Sequence, residues 1–323
     1  MPPIERMMRV AHGAVRARRA LRGPMRPTWS SETETLATFL HVYARQSIRL
    51  PIRWQRRAAE TALLRTDAVA RVACERVDAC GVPAEWLYAP GCDRSRTLLY
   101  LHGGGYVIGS PESHRDFLSR LAEAAGIAVL APDYRLAPEY RYPAQLDDAL
   151  AVYRWLLDRG VSPESIAVAG ESAGGNLAAA LLIALRDGAG PLPAAWALLS
   201  PWVDLAGRSA SIRDHARYDY LSRATLEFAA RAFCPADMSR EDPRVSPVHA
   251  DLTGLPPLLV HVGGAECLLD EGLRFARRAR DAGVSVDLDV WPDMIHAWHL
   301  YSLLPEAHAA TARVGAFAAH HTR

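Results

Sequence analysis

The stretch Ser165-Ile166-Ala167-Val168-Ala169-Gly170-Glu171-Ser172-Ala173-Gly174 decides how this chain is read. An apolar run of strand length ends in a G-x-S-x-G string, and the small residues from Asn176 to Leu185 continue it as a helix. A strand that turns into a helix at one serine is a nucleophile elbow. The serine takes a strained backbone conformation that pushes its hydroxyl outward, and a side chain two residues before or after it would collide with the turn or the neighbouring strand. The string alone is common enough to arise by chance, so its surroundings must decide.

Two further stretches supply those surroundings. His102-Gly103-Gly104-Gly105-Tyr106 follows the strand-like Thr97-Leu98-Leu99-Tyr100-Leu101, and its consecutive glycines leave backbone N–H groups bare. The N–H groups of Gly104 and Gly105, with that of Ala173 after the serine, are the predicted oxyanion donors for acyl transfer. Further on, the strand pattern of Val284, Val286, Leu288 and Val290 runs out into Trp291-Pro292-Asp293-Met294-Ile295-His296-Ala297-Trp298. His296 follows the end of that strand directly, whereas His299 lies three residues on and reads as its neighbour. Between serine and histidine, the loop Gly263 to Gly272 offers Glu266 and Asp270 as the acid. Serine, acid, histidine is a known chain order for a catalytic triad.

With these residues identified, the chain resembles the hormone-sensitive-lipase-like branch of the α/β-hydrolases, the HGGG esterases. The strings that carry the resemblance are HGGGYVIGSPESHR from His102, APDYRLAPEYRYPAQLDDAL from Ala131, AVAGESAGGNLAAAL from Ala167, LLSPWVDL from Leu198, DPRVSPVHADLTGLPPLLVHVGGAE from Asp242 and MIHAW from Met294. They run from about Leu98 to Trp298. The resemblance implies an α/β-hydrolase fold with a helical cap and a carboxylesterase acting on short- to medium-chain acyl esters through Ser172, Glu266 and His296. Glu266 stands where the family commonly carries aspartate, four residues before D-E-G, and at the family's spacing from His296. Asp270 stands where a helix begins and reads as an N-cap. One branch of the family uses glutamate as its acid, although it usually has threonine where this chain has Glu171. Lactone or N-acetyl amide hydrolysis on the same machinery is the alternative. A non-catalytic receptor branch lacks the histidine that is present here as His296.

Composition narrows the field. The chain has 323 residues, half of them hydrophobic, with a net charge of +1, so a large core is available and nucleic acid is not an expected partner. Every one of the 37 basic residues is arginine. The five cysteines have no C-x-x-C or metal-ligand spacing, and the histidines outside the triad are scattered; neither a disulfide framework, a metal nor a cofactor is expected, and a reducing, cytoplasmic location fits. Residues 1–60 carry 12 arginines against 4 acids, and the remainder 25 against 32. Arginines interrupt any signal-peptide core near the N-terminus, and the longest apolar run, Leu177 to Leu185, is too short for stable membrane insertion. A homodimer stays open.

Residues 1–60 are expected to form an N-terminal cap segment, with Ser31 and Glu34 as a capping box and Leu36, Phe39, Leu40 and Tyr43 on one apolar face. Residues 61–205 are the first part of the core, opening with a hairpin over Val72–Tyr88. Residues 206–255, where the alternating pattern stops, are the cap insertion, and 256–323 are the second part of the core. Strand-length runs over 97–101, 127–131, 165–169, 195–199, 257–262 and 284–290 alternate with helices over 112–125, 144–158, 172–186, 270–282 and 305–320, which predicts a mostly parallel sheet covered on both faces. An arginine–carboxylate lattice around Arg135, with Asp133, Glu139 and Asp147 as partners, is expected to brace the elbow, and Ala137-Pro138 and Tyr142-Pro143 are candidate cis bonds. Tyr106, Trp202, Phe228 and Trp298 are the expected pocket lining, suited to an apolar acyl group.

Overall fold

The computed structural model of the protein describes residues 3–61 and 66–323. Helices α1 (Pro3–Arg22), α2 (Ser31–Ser47) and α3 (Ile52–Thr61) come first, and a single turn, α4 (Ala68–Arg71), leads into the sheet. Then follow β1 (Ala73–Ala79), β2 (Val82–Tyr88), β3 (Asp93–Leu101), α5 (Arg115–Ala125), β4 (Ile127–Pro132), α6 (Ala144–Asp158), β5 (Ile166–Glu171) and α7 (Ala173–Asp187). After β6 (Ala195–Leu199) the alternation pauses at α8 (Ser211–Asp214) and α9 (Arg223–Phe233). It resumes with β7 (Leu258–Gly263), α10 (Leu269–Asp281), β8 (Val286–Trp291) and α11 (Pro305–His321).

Among the described residues the strands form one sheet in the order β1-β2-β4-β3-β5-β6-β7-β8. The pairs β1–β2 and β2–β4 are antiparallel and the rest are parallel. The β1–β2 hairpin closes through Cys80 and Gly81, both at positive φ (59° and 83°), the geometry of a two-residue type I′ turn. Successive residues of the central strands point to opposite faces. Leu99, Leu101, Leu130 and Val168 pack with α6, α7 and α10, while Leu98, Tyr100, Val129 and Ala169 pack with α5 and α11. Because both faces are covered, the buried stretches 98–101, 127–132 and 166–170 of these strands are apolar throughout.

The strand order reverses between β3 and β5, which lie side by side with Leu101 opposite Gly170. In such sheets the crevice at the strands' C-terminal ends, at the point of reversal, is where ligands bind. Here it brings the glycine run after β3 against the serine after β5.

Several local expectations are corrected. The N-cap of α2 is Ser30, whose side chain accepts the Thr33 N–H at 3.0 Å, and there is no Ser31–Glu34 box. Glu34 turns inward, where it is fully buried, paired with Arg18 and Arg19, and accepts the Met25 N–H. It therefore ties α1 and the following turn to α2. Arg135 pairs with Asp148 rather than with Asp133, Glu139 or Asp147, and Glu139 pairs with Arg56 of α3. The bonds Ala137-Pro138 and Tyr142-Pro143 are both cis. A third cluster, including Trp29, Leu36, Tyr218, Met294 and Leu304, joins the N-terminal helices to the C-terminal part of the core.

Candidate active site

Ser172 stands between β5 and α7 with φ 54° and ψ −119°, a left-handed conformation that a non-glycine residue holds only where its surroundings impose it. Neighbouring backbone does so: the Ser172 N–H donates to Leu199 O at 2.9 Å, and Ser172 O accepts from Trp202 N at 3.0 Å. The flanking glycines are dictated by space. A Cβ on Gly174 would lie 2.0 Å from Leu101 O, and one on Gly170 would lie 2.3 Å from Gly174 O. The helix α7 starts at once, so its N-terminal N–H groups and the positive end of its dipole sit beside the hydroxyl.

The glycine run forms the opposite wall. The N–H groups of Gly104 and Gly105 meet no backbone acceptor among the described residues, and that of Ala173 precedes the helix's own ladder. Glu171 holds this loop from below. Its buried carboxylate accepts hydrogen bonds from Gly103 N–H and Tyr100 hydroxyl, and His114 Nε2 lies 2.9 Å away. Against the cost of burial, the His114 partner keeps Glu171 below its ordinary range, and Glu171 in turn raises His114. His102 stacks on Tyr134 with centroids 4.2 Å apart, and burial pushes its ring down to about 3, so it is neutral.

His296 and Glu266 meet beneath the cavity floor. The Nδ1 of His296 lies 3.7 Å from Glu266 Oε2, and both residues are buried. Ser200 Oγ donates to the same Oε2 at 2.5 Å and accepts the Ala297 N–H at 3.1 Å. Among the described residues, His296 Nδ1 and Glu266 Oε1 have no hydrogen-bond partner. Burial raises the Glu266 carboxyl to about 8, opposed by the Ser200 hydrogen bond; burial also lowers His296, opposed by the charges of Asp219 and Glu171. Asp270 is elsewhere. It lies in the first turn of α10, whose N-cap is Leu268, and its Oδ2 accepts the Ser211 N–H at 2.8 Å. The N-cap expectation for Asp270 is thus corrected too.

Ser172, His296, Gly104 and Gly105 all border one cavity of about 560 Å³. Its walls are mainly apolar: Leu36, Phe39, Leu40 and Tyr43 from α2, and Leu226, Phe228 and Ala229 from α9. Trp202 and Phe228 border it, whereas Tyr106 and Trp298 do not. Tyr106, at φ 65°, points into the core, stacks on Phe233 at 3.8 Å and donates its hydroxyl hydrogen to Asn176 Oδ1 at 2.7 Å. Trp298 packs inward on His299, 3.9 Å between centroids, and on His261. Asp219 and Ser200 were not foreseen from sequence; both act on loop N–H groups, and no motif signals that. Among the described residues no cluster of His, Cys, Asp and Glu could hold a metal ion, and no helix is long and apolar enough to cross a membrane.

Comparison with known proteins agrees with this fold. A family model described as alpha/beta hydrolase fold matches residues 98–300. An acetyl-hydrolase of Streptomyces hygroscopicus is 48% identical over 236 residues, 72% of this chain and 78% of that protein. An ethyl acetate hydrolase of Pseudomonas putida is 36% identical over 234 residues, 68% of this chain and 73% of that one. Among solved structures, an esterase from the bacterial hormone-sensitive lipase family superposes with a TM-score of 0.83 at 43% identity, covering 89% of this chain and 98% of that one.

Proposed function

The chain belongs to the hormone-sensitive-lipase-like branch of the alpha/beta hydrolase family and is a carboxylic ester hydrolase, and from that premise we propose a Ser172-His296-Glu266 triad acting on short- to medium-chain acyl esters. The observation that carries this reading is Ser172, held at φ 54° in a cavity it shares with His296 and the bare N–H groups of the glycine run. His296 takes the Ser172 proton through Nε2 as the oxygen attacks the ester carbonyl. The tetrahedral oxyanion is held by the N–H groups of Gly104, Gly105 and Ala173 at the start of α7. Glu266 orients the ring through Nδ1 and stabilises the imidazolium; the 3.7 Å separation shortens to a hydrogen bond when the ring becomes charged. The alcohol leaves with the proton from His296, and water, activated by the same base, releases the acid.

Residues 1–60 and 206–255 form the cap in this reading, since α2 and α9 supply the apolar wall facing Ser172. The volume lies within the range of small-molecule sites, and the acetyl-hydrolase and ethyl acetate hydrolase names of the relatives support the short end of the acyl range. Nitrophenyl esters from acetyl to lauroyl test it. Turnover is expected up to acyl chains of about eight carbons, with Ser172→Ala at least about 10³-fold slower on all of them and still folded. Undiminished hydrolysis by that variant, or a clear preference for emulsified long-chain triglyceride, contradicts the reading.

A further inference from the structure

We propose that Asp219 is a positioning residue for this reaction, a carboxylate on the segment between α8 and α9 that pins the acid loop and the histidine loop to each other. Its Oδ2 accepts the Cys267 N–H at 2.7 Å, one residue beyond Glu266, and its Oδ1 accepts the His296 N–H at 3.2 Å. The same Oδ1 takes the N–H of Tyr220 at 2.8 Å, and its own carbonyl is met by His41 Nδ1 of α2 at 2.8 Å. Asp219 is fully buried, and its environment is built around these contacts.

Cys267 lies in the loop after β7 and His296 in the loop after β8, outside any ladder. Without Asp219, two buried N–H groups would lose their acceptor, and the loops that carry Glu266 and His296 would lose their shared anchor. The gap it governs is the consequential one. Glu266 Oε2 and His296 Nδ1 are 3.7 Å apart, beyond a hydrogen bond and within reach of one, so a displacement of about 1 Å decides whether the acid engages the ring. Ser200 fixes the same loops from the β6 side; Asp219 does so from the segment that also borders the cavity through Tyr220 and Leu221.

Its charge has a second effect. A carboxylate near His296 favours the protonated ring, and Asp219 acts in this direction together with Glu171. Among the described residues, Glu266, Tyr220 and His299 are further ionisable groups that face His296. As the base, His296 must be neutral, so kcat/KM rises as pH climbs through its pKa. Removing the Asp219 charge therefore moves the acid limb to lower pH.

The inference rests on His296 being the base, and Asp219→Asn tests it beside His296→Ala. Asp219→Asn is expected to lower kcat about 10- to 100-fold with KM changed little, to move the acid limb of kcat/KM to lower pH, and to leave Ser172 titratable by an organophosphate. Asp219→Glu, which keeps the charge, should leave the acid limb nearer the wild-type position. Unchanged kcat and acid limb in folded Asp219→Asn overturn the inference, as does a loss of kcat that only follows a loss of folded protein with the acid limb in place. If Asp219→Asn yields no folded protein, Asp219→Glu is judged alone: wild-type kcat there, despite the displaced carboxylate, overturns the positioning role. Activity retained by His296→Ala would instead defeat the triad reading itself.

Discussion

Glu266 and Asp270 are both acids of one loop, yet their surroundings assign them different work. Glu266 turns Oε2 toward His296, with Ser200 Oγ donating to the same oxygen, whereas Asp270 spends an oxygen on the Ser211 N–H. Glu266→Gln keeps the shape but cannot ionise against the imidazolium as His296 takes up its proton, and it should cost about 10²- to 10⁴-fold in kcat. Asp270→Asn retains an acceptor for Ser211 and should keep most activity; the opposite pattern would move the acid to Asp270. Stability gives a second readout. The fold holds the Glu266 proton up to about 8 against an ordinary 4.5, so it binds that proton more tightly than the unfolded chain does. Stability therefore falls as pH climbs from about 4.5 to about 8, and Glu266→Gln escapes that decline, its Tm gaining on wild type across the window. Parallel Tm profiles would contradict the buried, proton-holding environment. At this scale the sequence was legible where a residue sits in a motif with its own backbone demand, as with Ser172 between Gly170 and Gly174. It was silent on Ser200 and Asp219, which reach loops far away in the chain. It misled at Tyr106 and Trp298, because adjacency to a site residue does not say which way a side chain points when the backbone is at positive φ or in a tight turn.

Elements were legible for a simpler reason. A strand buried on both faces has to be apolar over its whole length, so the runs ending at Leu101, Ala169 and Leu199 stood out, and helices of different composition separated them. Termini depended on contacts the sequence does not display, as α2 illustrates. Ser30 and Ser31 are equally good caps by type, and Glu34 completes a box on paper. In the fold two arginines of α1 and the Met25 N–H claim Glu34 first. Glu34→Ala should therefore destabilise the protein by about 1–3 kcal/mol, because the Met25 N–H and two half-covered guanidinium groups lose their acceptor. A denaturant midpoint equal to wild type would show that α1 docks on apolar contacts alone.

For the molecule as a whole, the sheet gathers residues spread over about three fifths of the chain onto one end of neighbouring strands. Gly104 and Gly105 follow β3, Ser172 follows β5, Glu266 follows β7 and His296 follows β8. The basic N-terminal helices, which composition set apart, supply cavity wall through Leu36, Phe39, Leu40 and Tyr43. That role was visible in their apolar spacing but not in their charge. On the proposed mechanism each chain carries one acyl site, and this sets the most direct test. Mixing the protein with a nitrophenyl ester under stopped flow should release a burst of about one nitrophenolate per chain where deacylation is slowed, leaving an acyl adduct that peptide mass mapping places on Ser172. No acyl adduct at Ser172, or an undiminished burst from Ser172→Ala, would contradict the account.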